Sequence, residues 1–230
     1  MNYYLLINSI NINTVGTIPQ IVDATNLEAL KKNIGFEEGL ISLPILPEVM
    51  LDSQALLTTF LNGGRVGYAN CKVFENSFVD FLKDFKIQET QDWNILAHQD
   101  KRSIVGYKLF RICYKNKQYK INYDKSQYYI PNKHNFRSED VTYLDIRNDQ
   151  EFRQIFLDLQ QKKQNFFPKK ITIDLTSVDE DLFLFDHNTF IPNSYIVSRK
   201  LKDAIQENEK FTGFRFKEIQ DCFPKIDFIC

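Results

Sequence analysis

Apolar residues recur along this chain at two periods, and each change of period marks a change of element. Tyr3 to Ile10 reads as a strand. Thr25 followed by Glu28 forms a capping box for a short helix over Leu27 to Asn33, which Gly35 can end in a left-handed conformation. Pro44 and Pro47 then impose an irregular stretch. Asp52 is placed to cap a second helix carrying Leu56, Leu57, Phe60 and Leu61, closed by Gly63 and Gly64. From Cys71 onward Phe74, Phe78, Phe81, Leu82 and Phe85 recur at offsets of 4, 7, 8 and 11, which predicts a helix with its phenylalanine face in the core.

Period two takes over next. Ile104 to Tyr114 is rich in β-branched, aromatic and aliphatic residues; Lys115 to Gln118 is a polar turn, and Tyr119, Ile121 and Tyr123 alternate with Lys120 and Asn122. That spacing predicts an antiparallel hairpin. Asn148 with Glu151 opens a helix whose Phe152, Ile155, Phe156 and Leu159 share a side, and which ends at Lys162 and Lys163 as the helix dipole favours. Pro168 separates it from a strand over Ile171 to Leu175.

The last unit, Tyr195 to Phe216, reads as strand, helix, turn and strand. Ser198 is the N-cap, Leu201, Ala204 and Ile205 form the buried helix face, and Thr212-Gly213 turns the chain into Phe214 and Phe216. Cys71 to Phe78 matches Ser198 to Ile205 in pattern, pointing to an internal duplication of a strand-helix-strand unit. The fold class expected is α+β, an antiparallel sheet with flanking helices. Residues 1–65, where periodicity is weaker, form an N-terminal subdomain that is either separate or packed into the same core; residues 66–230 form the main α+β domain.

Composition narrows the function classes. With 29 Lys plus Arg against 30 Asp plus Glu in 230 residues, the chain is neither a globally basic nucleic-acid binder nor a polyanionic tail protein. Electrostatic function must therefore lie in local patches. Cys71, Cys113, Cys222 and Cys230 show no CxxC spacing, so buried or idle thiols are expected rather than a disulfide scaffold or zinc site. The N-terminal apolar run of five residues, Tyr3 to Ile7, has no charged region before it or cleavage site after it, and no stretch is long enough to span a bilayer. A soluble cytoplasmic protein that makes no membrane contact is expected.

Catalytic patterns are sparse. His98, His134 and His187 stand in unrelated contexts, and no GxSxG, GxGxxG or P-loop occurs. Neither a metal nor another cofactor is expected. Between Gln99 and Arg137 ten bases face two acids, with tyrosines interleaved, and aromatics plus cations on a sheet can hold single-stranded nucleic acid. A nucleic-acid-binding module using the Tyr/Lys hairpin 101–130 is thus one alternative function. Tyrosine and lysine are also ordinary on sheet faces and edges, which makes nucleic acid the less favoured partner. An unrecognised small-molecule enzyme is the other alternative. From Ile171 to Pro192 the sign reverses: Asp174, Asp179, Glu180, Asp181 and Asp186 stand without a single Lys or Arg, around the apolar run Leu182 to Phe185. Acids flanking an apolar run suit a basic protein partner, with charge steering at the rim and hydrophobic anchors inside.

The end of the chain resembles a known family. Asp181-Leu182-Phe183, the helix Val197-Ser198-Arg199-Lys200-Leu201-Lys202-Asp203-Ala204-Ile205 and the strand Thr212-Gly213-Phe214-Arg215-Phe216 look like the C-terminal signature of bacterial polymorphic-toxin immunity proteins of the DUF1629-like group. Gly106 to Phe110 and Tyr123 to Ser126 resemble the family's central strands, so the likeness spans roughly residues 66 to 220. It departs at Cys71, where the family often has Ser. The resemblance implies a cytoplasmic, non-catalytic protein that binds and neutralises a cognate secreted toxin domain, usually encoded beside it, by stoichiometric occlusion. Together with the charge pattern, it nominates Asp179, Glu180, Asp181 and Asp186 as toxin-binding residues.

Overall fold

Six strands close around an apolar interior in the computed structural model of the protein, which describes residues 3–25, 48–63, 71–113, 119–132, 140–187, 191–219 and 225–229. The chain divides into two units: Met1–Asn116 with Asp179–Asp186 and Ile191–Lys217, and Lys117–Val178 with His187–Phe190 and Glu218–Cys230. No division falls at residue 65, because strands on either side of it share one sheet.

The first unit begins with β1 (Tyr3–Asn8), a short helix α1 (Ile12–Val15), β2 (Ile21–Ala24), β3 (Glu48–Leu51) and β4 (Phe60–Leu61). It continues through β5 (Cys71–Glu75), α2 (Asn76–Phe81), a 3-10 turn (Leu82–Asp84), β6 (Thr90–Gln99) and β7 (Arg102–Ile112). Strand order is β2-β3-β6-β7-β5-β4. The ends of that sheet meet: Ile21 N–H donates to Asn62 O at 2.8 Å, and Asn62 N–H to the Gln20 side chain at 2.8 Å. Ile21, Val49, Leu61, Val73, Ala97 and Leu109, one or more from every strand, fill the barrel so formed. Alternation along each strand sends the intervening residues outward. Phe60, Phe74 and Phe110 thereby join a second core.

That second core is shared with a four-stranded sheet of order β12-β13-β1-β14, in which β12 is Leu182–His187, β13 is Ile191–Ser198 and β14 is Phe214–Glu218. Helix α4 (Arg199–Glu207) packs Leu201 and Ile205 into it. Its centre is aromatic: ring centroids lie 4.7 Å apart for Phe60–Phe74, 5.0 Å for Phe74–Phe78 and 4.7 Å for Phe78–Phe214. Such pairs contribute roughly 0.5–1.5 kcal/mol each beyond the area they bury.

The second unit holds β8 (Lys120–Ile121), β9 (Gln127–Pro131), β10 (Val141–Leu144), α3 (Asp149–Gln161), β11 (Phe167–Asp174) and β15 (Lys225–Ile229). Asn148 caps its helix as expected, its Oδ1 accepting from Glu151 N–H at 2.9 Å, while Glu151 Oε2 accepts from Arg147 N–H at 2.9 Å, one residue ahead of the cap. Phe152 and Leu159 of α3 pack with Tyr123, Tyr128 and Phe166.

The architecture is therefore mixed α+β, mostly sheet, with largely antiparallel pairing and parallel pairs at β3–β6 and β11–β15. Four expectations are corrected. Asp52 starts no helix: its side chain accepts from Gln54 N–H at 2.8 Å in a local turn, and Phe60–Leu61 is a strand. The helix over Phe74 to Phe85 is shorter, because Phe74 belongs to β5 and the helix runs only from Asn76 to Phe81. A strand leading directly into a helix keeps Phe74 and Phe78 in one core, which helical spacing alone would also do. The hairpin partner of β7 is β6, whereas Lys120–Ile121 pairs with Ile173 and Asp174 in the other unit. Finally, the matched octets are not structurally equivalent, since Cys71 begins a strand and Ser198 ends one. The helix expected at Leu27 to Asn33 lies outside the described residues.

Candidate partner-binding surface

The acidic segment enters the first unit just before β12, and its three consecutive carboxylates meet three different environments. Asp179 is exposed and accepts from Lys86 Nζ at 2.7 Å. Asp181 is buried and fully engaged. Its Oδ1 accepts from the Ser198 hydroxyl at 2.7 Å; its Oδ2 accepts from Lys86 N–H at 3.2 Å and Lys200 Nζ at 3.0 Å. Its own carbonyl accepts from Ser198 N–H at 2.8 Å. Burial alone would raise the Asp181 pKa, but the hydrogen bonds from Ser198, Lys200 and the Lys86 amide bring it below the ordinary range.

Glu180 is buried as well, and its Oε2 has no hydrogen-bond partner. Burial and the neighbouring Asp179 charge push its pKa up. Asp186 lies in β12, and its side chain falls outside the described residues. Leu182 to Phe185 is buried, as a core strand should be. Of the four nominated residues, the structure thus presents Asp179 to solvent, uses Asp181 to seat β13 and α4, and encloses Glu180. Lys86, Ser198 and Lys200, which organise the segment, gave no joint signal in sequence because they are far apart along the chain.

A second surface feature is apolar. Ile10, Ile12, Ile18, Leu56 and Leu57 are exposed, at 44–64 % of their accessible area. They lie on two segments that fasten to each other: Leu56 N–H donates to Val15 O at 2.9 Å, and the Gln20 amide donates to Leu56 O at 2.6 Å. A Cβ at Gly16 would stand 2.0 Å from Gln54 O, so only glycine permits this approach. Leu56 and Leu57 belong to the helix expected after Asp52; without that helix they turn outward.

The described part of the basic, tyrosine-rich stretch is divided between the two units. Tyr107 sits in the barrel with its hydroxyl on Thr58 O at 3.0 Å, Lys108 pairs with Asp92 at 2.6 Å, and Arg111 is buried beside Gln91 and Cys113. Tyr119, Tyr123, Tyr128 and Tyr129 are buried in the other unit. Tyr114 and residues 133–137 lie outside the described residues.

Cys71 and Cys113 are buried, and burial pushes the Cys71 thiol up to about 12, far from thiolate chemistry at neutral pH. Cys222 and Cys230 lie outside the described residues. Among the described residues no three His, Cys, Asp or Glu side chains are grouped to hold a metal ion, and no helix is long and apolar enough to cross a membrane. His98 contacts Glu48 at 3.1 Å. Compared with known proteins, the chain matches no family model and no curated sequence.

Proposed function

We propose that this protein is an immunity protein: it binds a cognate secreted toxin domain in the cytoplasm and neutralises it by occupancy, one to one, without turnover. The observation that carries this reading is the way the family-like residues fold. The described residues between Asp181 and Phe216 comprise β12, β13, the Ser198-capped α4, the Gly213 turn and the start of β14. Gly213 has a φ of +85°, and a Cβ there would stand 2.6 Å from Phe60 O, so the glycine of this signature meets a structural demand. The exposed aliphatics Ile10, Ile12, Ile18, Leu56 and Leu57 add the kind of apolar surface that protein partners cover. Asp179, which in this reading acts only as a steering charge, offers its carboxylate to a basic toxin in competition with Lys86.

The test is to look beside this gene for an open reading frame encoding a secreted protein and to co-express the C-terminal domain of that protein with this chain. Cells should survive, and the purified pair should elute as a single equimolar complex. Protection at protein levels far below the toxin concentration would overturn inhibition by occupancy, and so would separate elution of the two chains.

A further inference from the structure

Glu180 stands between two engaged carboxylates and differs from both. Only 9 % of the residue is exposed, and Oε2 meets neither solvent nor a donor. The charged groups around it are already committed. Within its own segment Asp179 holds Lys86 Nζ at 2.7 Å, and Asp181 holds Ser198 and Lys200 Nζ at 2.7 and 3.0 Å. From the segment after the 3-10 turn, the Lys86 amide also goes to Asp181, at 3.2 Å. Neither lysine donates to Glu180 Oε2. Backbone amides of Glu180 and Asp179 and the Lys86 charge favour the ionised form, but burial outweighs them, because an ionised carboxylate here would keep charge on Oε2 without water or donor, whereas the neutral acid escapes most of that penalty. The negative charge of Asp179 next door works in the same direction.

We propose that Glu180 is a proton-operated latch on the acidic segment: neutral, it stays packed and holds Asp179 to Asp181 in the arrangement seen; ionised, it turns to solvent and loosens that segment. The proton passes to water, and no other group need change its charge. Opening adds a second outward carboxylate beside Asp179, so the segment becomes more strongly anionic as pH rises. The latch is a property of the free chain and stands or falls independently of the toxin reading.

The experiment is a carbon-detected NMR titration of the full chain labelled at glutamate, with Glu180 assigned through its backbone. Glu180 should titrate above the exposed glutamates, and the amides of Lys86, Asp181 and Ser198 should shift with the same midpoint. Hydrogen exchange of the Asp181 amide, which bonds to Lys86 O, should accelerate with pH more steeply than in Glu180→Gln, by a further factor approaching about tenfold per pH unit, the limit for release of one proton. A Glu180 midpoint equal to that of the exposed glutamates would overturn the proposal. So would a raised midpoint that leaves the three amides unmoved. The wild-type titration needs no variant, so the answer does not depend on Glu180→Gln folding.

Discussion

Ser198 donates its hydroxyl to Asp181 at 2.7 Å while the same oxygen accepts from Leu201 N–H at 3.2 Å, so one side chain both anchors the acidic segment and caps α4. Ser198→Ala should therefore cost more than an exposed cap, above the ~0.5–2 kcal/mol usual for losing one, because Asp181 also loses a buried donor. In chemical denaturation Ser198→Ala and Asp181→Asn together should fall short of the sum of the single losses, with a coupling of roughly 0.5–3 kcal/mol. Additive losses would separate the cap from the anchor.

Asp181 also sets an acid limit. Its folded pKa lies below the ordinary range, so it favours folding above the unfolded value of about 3.9, and that contribution disappears as pH falls through the folded pKa. The stability difference between wild type and Asp181→Asn should therefore shrink as pH is lowered from 6 to 2, in urea titrations at fixed ionic strength. Glu180, with its pKa raised, has the opposite sign: its contribution is complete below the unfolded value of about 4.3 and is lost as pH rises.

Phe78 is fully buried and touches Phe74, Phe81, Phe211 and Phe214. Phe78→Ala should cost ~3–5 kcal/mol. Leu157, exposed on α3, is the control, and its alanine variant should stay within about 0.5 kcal/mol of wild type.

For the proposed complex, the two surface features predict different kinetics. Asp179→Lys should slow association and reduce its salt dependence, since an exposed charge acts on encounter. Leu56→Asp with Leu57→Asp should instead speed dissociation by about tenfold or more if they sit at the centre of the contact. Surface plasmon resonance at two salt concentrations reads both. Reversing Asp179, Glu180 and Asp181 together would be uninformative, because Asp181 is part of the scaffold.

Local signals were legible wherever the neighbouring residues in sequence are also the partners in space. Asn148 and Ser198 cap helices that their own next turns complete, and Leu182 to Phe185 is apolar because both its faces are covered. Two-period ambiguity misled at Phe74, where an offset of four suits both a helix and a strand running into one. β6 escaped notice because Asp92, Asn94 and His98 occupy its outward positions, although Trp93, Ile95 and Ala97 alternate inward. The candidate surface was half legible. Charge marked the acidic segment, but the division of labour among Asp179, Glu180 and Asp181 depends on Lys86, Ser198 and Lys200, brought in from elsewhere by the fold.

The pairing of β1 has a consequence for synthesis. Tyr3 to Leu6 lie opposite Ser198 to Tyr195, so β1 leaves the ribosome roughly 190 residues ahead of the partner it needs. At roughly 5–20 residues per second, that strand waits about 10–40 s before its sheet can form. During that interval Tyr4 and Leu6, both core residues in the finished protein, have no native sheet to enter. A role that depends on the four-stranded sheet therefore begins only after β13 has been made, however early β1 emerges.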